Sequence, residues 1–193
     1  MNKNSNKPII MIHEVSDWML EIDLSKYIIT FDDGLYSQYK NLDHFLSFDT
    51  EKYFFISTNI VSPKNERQEK EVIPCHIAHQ NFFNNGDTSA YMNWEQIRTI
   101  DKSANCFIGG HSHSHRDLRG DIKLKELHDH LTQDTELMLK RFKVEGIKIN
   151  SFCFPYNYEA PLYKEILKQN DINHFFGNER IAIEDIRREH QKS

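Results

Sequence analysis

The chain has 193 residues, 38% of them apolar, with 13 Phe and 8 Tyr. That is enough for one domain with a full core and too aromatic for a disordered chain. A formal charge of −5, with no long basic tract, argues against nucleic acid or an anionic membrane surface as a partner.

Ile9–Ile12 and Tyr27–Phe31 read as strands, and Tyr39–Phe48 as a helix with Leu42, Phe45 and Leu46 on one face. Tyr53–Ser57 is a third strand. From about Ser62 to Tyr91 no periodicity is clear, and Pro74 and the run Asn84-Asn85-Gly86 predict a long loop of the kind that often forms a lid or binding edge. Asn93 reads as an N-cap with Gln96 three residues on, opening a helix to about Lys102. Cys106–Ile108 is a short strand running into Gly109-Gly110. Leu124, Leu127, Leu131, Met138 and Phe142 mark one face of a long helix. Ser151–Phe154 is a strand ending at Pro155, Pro161 suits a helix first turn, and Phe175-Phe176 is the last strand. Glu184–Ser193 is expected to be a surface helix or a frayed end. The alternation predicts a single α/β domain over 1–193 with a largely parallel sheet.

Three cysteines, Cys75, Cys106 and Cys153, form no CxxC pair and suggest no disulfide framework. The apolar run near the start is too short for a signal-peptide core or a membrane span, so a cytoplasmic location is expected.

Four clusters carry chemistry, and each falls at a strand end, where α/β sheets and barrels bind ligands. Thr30-Phe31-Asp32-Asp33-Gly34 places two carboxylates side by side. Alternation would send them to opposite faces unless the backbone turns, which Gly34 permits. Two such charges need a cation or hydrogen bonds, unless the segment is a solvated turn. His111-Ser112-His113-Ser114-His115 follows Gly109-Gly110, glycines expected to let the backbone pass close to the site. The spacing of His111 and His115 puts two imidazoles on one face, as a metal requires; a solvated histidine loop is the other reading. One carboxylate and two histidines leave an open position for water, and the second carboxylate can then serve as general base. The third cluster, Phe152 to Asn157, offers the Tyr156 N–H to a developing oxyanion and an aromatic ring to a sugar. The fourth is His13, placed to act as acid or base.

Together these clusters resemble the polysaccharide deacetylase family with the NodB-homology domain, the carbohydrate esterases of family four. Thr30–Gly34 matches its TFDDG motif, His111–His115 its H-[ST]-x-x-H motif, and Phe152–Tyr156 takes the place of R-x-x-P-Y. The resemblance spans roughly residues 9 to 177. It implies a distorted (β/α) barrel and one divalent metal ion, zinc foremost, held by Asp33, His111 and His115. It implies Asp32 as general base, Tyr156 as oxyanion contact, and removal of an N-acetyl group from an amino sugar. In the branch acting on poly-N-acetylglucosamine, which the Phe-x-x-Pro-Tyr form resembles, the acid comes from an early motif that His13 matches; His174 is the other histidine available.

Two departures stand out: Cys153 replaces the arginine that orients the base, and only 37 residues follow Tyr156, leaving little room for the family's late Asp and Leu-x-His motifs. Pro155, Tyr156 and Tyr36 are expected substrate contacts, with core packing the competing role for Tyr36. Cys75, His76 and His79 read either as a second metal site or as a solvated loop, and Trp94 as packing. A cytoplasmic enzyme would meet a nucleotide sugar or a lipid-linked glycan in surface-polysaccharide biosynthesis. The alternatives are another amide hydrolysis, such as sugar deformylation, and an inactive glycan-binding module.

Overall fold

The computed structural model describes residues 7–69 and 71–190. Seven strands form one sheet: β1 (Ile9–Ile12), β2 (Ile28–Phe31), β3 (Lys52–Ile56), β4 (Cys106–Gly110), β5 (Ser151–Cys153), β6 (His174–Phe176) and β7 (Ile181–Ala182). Every neighbouring pair is parallel, in the order β6-β5-β4-β3-β2-β1-β7. The edge strands β6 and β7 are separated by four residues, 177–180. An extended chain of that length spans at most roughly 18 Å, so the sheet must curl until its edges almost meet. The result is a distorted, open (β/α) barrel, as expected.

Alternation divides the side chains into two cores. Ile10, Ile12, Ile29, Phe31, Phe54, Ile56 and Phe152 face outward and pack with the helices in the main cluster. Tyr53, Phe55, Cys153 and Phe176, with Ile9 and Ile28 against them, fill the barrel interior. This inward row matters most, because its continuation past the strand ends supplies the site.

The helices are α1 (Tyr36–Lys40), α2 (Leu42–Leu46), α3 (Cys75–Asn85), α4 (Trp94–Asp101), α5 (Leu124–Glu145), α6 (Pro161–Lys168) and α7 (Ile183–His190). The Asn93–Gln96 capping box forms on α4, with both reciprocal hydrogen bonds in place. None of the described helices is long and apolar enough to cross a membrane.

Three expectations change. The helix expected over Tyr39–Phe48 is two short ones, broken at Asn41, whose side-chain amide donates back to the Ser37 carbonyl at 2.8 Å. The loop expected over 62–91 contains α3. This helix buries only Ala78, so it has no strong apolar face to betray it, and its one local cue is Gly86, a left-handed C-cap at φ 71°. The last strand is not Phe175-Phe176 but β7, which pairs beside β1, while of the two readings for the segment after it the surface helix holds as α7, with Ile183 and Ile186 buried against the main core. Residues 191–193 lie outside the described part.

Candidate active site

The site grows from the inward row. Thr30 and Asp32 continue the inward face of β2, Cys153 ends β5, and His13 and His111 follow β1 and β4. The Asp32 N–H still bonds the Ile12 carbonyl at 3.0 Å, as a strand would. The chain then turns sharply, with Asp33 at φ 71° and Gly34 at φ 74°. Two successive left-handed residues bring the Asp33 carboxylate back to the side that Asp32 faces. Such conformations are costly for an aspartate and persist where surrounding structure enforces them.

The histidine loop reaches the same point without a helix. Ser112 (φ 67°) and His115 (φ 52°) are left-handed, and the Ser112 hydroxyl accepts from the His115 N–H at 2.8 Å. Buried Asp134 of α5 accepts the next two amides, those of His113 and Ser114, at 2.7 and 2.9 Å. The His113 ring turns away to Thr58 Oγ1. The two glycines before this loop serve packing rather than site access. A Cβ on Gly109 would stand 2.5 Å from the Phe55 ring, and one on Gly110 would stand 2.6 Å from Met138 Sδ.

Asp33 Oδ1 is the focus of three imidazoles. His115 Nε2 lies 2.9 Å away, His111 Nε2 3.2 Å and His79 Nε2 3.6 Å. His111 Nδ1 stands 2.8 Å from the Cys153 carbonyl. Only an N–H can face a carbonyl, so the neutral ring keeps its lone pair on Nε2, pointed toward Asp33. Despite these neighbours, Asp33 Oδ1 is buried without a hydrogen-bond partner of good geometry. Burial opposes ionisation of Asp33, but the imidazoles gathered round it, His115 foremost, outweigh that and hold its carboxyl well below the usual range. Carboxylate oxygen facing imidazole lone pairs is repulsive unless protons or a cation stand between them. The ligand atoms of Asp33, His111 and His115 lie within 4.8 Å of one another and all three residues are buried, so this donor set fits a divalent cation, zinc included.

Asp32 has a different partner. Arg180, which immediately precedes β7, donates from Nη1 to Asp32 Oδ1 at 2.7 Å and to Thr30 Oγ1 at 3.1 Å. Its Nη2 bonds Asn157 Oδ1 at 3.2 Å and its Nε the Gly177 carbonyl at 3.1 Å. Burial disfavours the Asp32 charge, and the charge and hydrogen bond of Arg180 outweigh it, so the carboxyl stays below its ordinary range. Cys153 does lie beside this carboxylate, with Sγ 3.5 Å from Oδ2. The arginine is therefore not missing; it arrives from the other end of the sheet. No local pattern announces it, because it is 148 residues from Asp32 and lies in a charged segment.

His13 Nε2 stands 4.0 Å from Asp32 Oδ2 and 3.9 Å from Asp33 Oδ2, at the open side. Gln38 of α1 holds both strand ends, donating to the carbonyls of His13 at 2.7 Å and Asp32 at 2.6 Å. Cys75 and His79, one turn apart on α3, border the same carboxylates, with Cys75 Sγ 3.0 Å from Asp33 Oδ2. They line the same cleft as the acid pair. A cleft of about 530 Å³ opens over these groups, lined also by His76, Arg119, Tyr156 and Glu184. The Tyr156 ring lies 5.0 Å from the His115 ring, with the Arg119 guanidinium 4.7 Å above it.

Tyr36 and Pro155 do not line this cleft. Tyr36 borders a groove with Lys40 and Glu69, and Pro155 packs behind the histidine loop near Asp134. His174 begins β6, with its ring against Tyr53 and Phe176 rather than in the cleft. Trp94 packs edge-on to Phe142.

The profile of the family described as polysaccharide deacetylase matches residues 24–175. No curated protein matches the chain significantly. Among solved structures, a de-N-acetylase from Aggregatibacter actinomycetemcomitans is 14% identical, with a TM-score of 0.65 over 91% of this chain and 93% of its own. IcaB from Ammonifex degensii is 17% identical, with a TM-score of 0.62 over 88% and 82%. The BpsB deacetylase domain from Bordetella bronchiseptica is 17% identical, with a TM-score of 0.58 over 81% and 69%. At such identities the likeness is one of fold.

Proposed function

The chain belongs to the polysaccharide deacetylase family, and from that premise we propose that it hydrolyses the N-acetyl group of an amino sugar with a divalent cation held by Asp33, His111 and His115. Bound there, zinc would polarise the amide carbonyl and lower the pKa of water.

The remaining steps fall to the chain's own groups. Asp32 is the general base. Its Oδ1 is engaged by Arg180, so Oδ2, which among the described residues has only the weak Cys153 thiol as donor, takes the proton of the attacking water. The Tyr156 N–H supports the carbonyl oxygen as it gains charge. His13, at the open side of both carboxylates, gives its proton to the departing amine as the C–N bond breaks. The products are acetate and the free amino sugar. A cleft of about 530 Å³ falls in the range of sites that enclose a small ligand, room for one N-acetylated sugar unit; the carrier we propose for that unit is a nucleotide sugar or a lipid-linked glycan in surface-polysaccharide biosynthesis.

The observation that carries this reading is the division of the acid pair, with Asp33 turned to the imidazoles and Asp32 tied to Arg180. The test is product analysis on N-acetylated glucosamine oligomers and nucleotide sugars, with and without a chelator. Acetate release that the chelator abolishes is expected. Formate from an N-formyl sugar in its place would shift the reaction to deformylation. Cation binding with no hydrolysis of any N-acylated sugar would leave only a glycan-binding module.

A further inference from the structure

The Asp33 carboxylate has two oxygens, and each faces its own cluster of donor atoms. Oδ1 faces His111 and His115. Oδ2 faces Cys75 Sγ at 3.0 Å and His13 Nε2 at 3.9 Å, and the ligand atoms of His13, Asp33 and Cys75 lie within 4.8 Å of one another. Around a tetrahedral zinc, ligand atoms about 2.0–2.3 Å from the metal stand roughly 3.3–3.8 Å apart, so small movements suffice.

We propose that His13, Cys75 and Asp33 Oδ2 form a second cation site, taking a thiophilic divalent cation such as zinc or cadmium, with the Asp33 carboxylate shared between the two sites. Sulfur, imidazole nitrogen and carboxylate oxygen together are a donor set of zinc rather than of magnesium or calcium. The scaffold is already tied. The Cys75 N–H, at the start of α3, donates to Glu14 Oε2 at 3.1 Å, and Glu14 directly follows His13. Gln38 holds the His13 carbonyl at 2.7 Å. The end of β1 and the start of α3 are thereby locked together across the cleft.

The consequence rests on the proposed role of His13. An imidazole whose Nε2 lone pair is committed to a cation cannot carry the proton for the leaving amine. Occupancy of the second site therefore inhibits, and zinc acts as cofactor at low concentration and inhibitor in excess.

The test titrates the zinc-loaded protein with cadmium, following thiolate-to-cadmium absorption in the ultraviolet and both metals by elemental analysis. The expected result is one cadmium per chain with the thiolate absorption and with zinc retained. Cys75→Ser should abolish that cadmium and its absorption while zinc stays bound. Cys153→Ser, which alters the other thiol near the acids, should keep both. In hydrolysis, excess zinc should lower the rate, and the concentration that halves it should rise in Cys75→Ser by at least about 100-fold, the upper end of what loss of an outer-shell partner costs a metal site. Cadmium that merely displaces zinc without thiolate absorption, or absorption that survives Cys75→Ser, overturns the second site and leaves the proposed function standing. A protein that retains neither metal overturns both.

Discussion

Asp32 and Asp33 are adjacent in the chain and sit in opposite chemistry. The Asp33 flank is neutral donors, three imidazoles and a thiol drawn from β4, the histidine loop and α3. The Asp32 flank is a permanent cation, Arg180, with Thr30 and Asn157 completing its hydrogen bonds. Neutral donors suit a carboxylate that must share a cation with them. A fixed guanidinium suits one that must stay ionised and oriented while it takes and gives up a proton. One turn of left-handed backbone at Asp33 and Gly34 separates the two duties.

The largest break in this comparison is Asp33→Ala. It removes the carboxylate on which the imidazoles converge, so elemental analysis should find the cation gone and acetate release should fall to background. His115→Ala should behave alike. A variant that keeps both would show that the imidazoles do not depend on Asp33.

On the other flank, Arg180→Met leaves Asp32 buried without its counter-charge. Stripping one partner from such a pair costs about 3–5 kcal/mol, to be read as a fall in the denaturant midpoint. The guanidinium lowers the Asp32 pKa, so its loss raises that pKa, and the acid limb of the activity profile should move to higher pH. Adding Cys153→Arg returns a guanidinium to the position beside Asp32 Oδ2 and should move the limb back. A destabilised enzyme with an unmoved pH profile would reduce Arg180 to a structural ion pair.

Asp134→Ala tests the support of the histidine loop from below. Two half-buried amides lose their acceptor, at about 1–3 kcal/mol in stability, and cation affinity should weaken by about 10-fold or more, as for other outer-shell losses. Chelator competition measures it. The smallest effect is expected at Tyr36, which lies in a different groove. Tyr36→Phe should stay within about 0.5 kcal/mol of the parent and leave KM unchanged, whereas a raised KM would extend the substrate path to α1.

The two flanks also differ in how readable they are from sequence. Asp33, His111 and His115 are marked because each cluster is local: apolar runs end, glycines follow, and like residues recur at short spacing. The strands and the Asn93–Gln96 cap are legible for the same reason. Arg180 carries no such mark, since its meaning comes from a sheet whose edges almost meet, and that closure is visible only in the fold. Helix α3 escaped because it buries a single alanine and so lacks periodicity, although it delivers Cys75 and His79 to the site. Asp134 sits on the buried side of α5, where a charge reads as a flaw in an apolar stripe until the amides it accepts are seen. Gly109 and Gly110 do mark a close approach, but it is to Phe55 and Met138 in the packing and not to the site.

The division of labour between the two acids is tested most directly by Asp32→Asn, loaded with zinc and measured twice. Bound zinc should match the parent in stoichiometry and affinity, while acetate release falls by about 10²–10⁴-fold, the usual contribution of a general base. Loss of zinc in step with activity, or turnover preserved with zinc bound, would contradict the assignment of proton transfer to Asp32 and cation binding to Asp33.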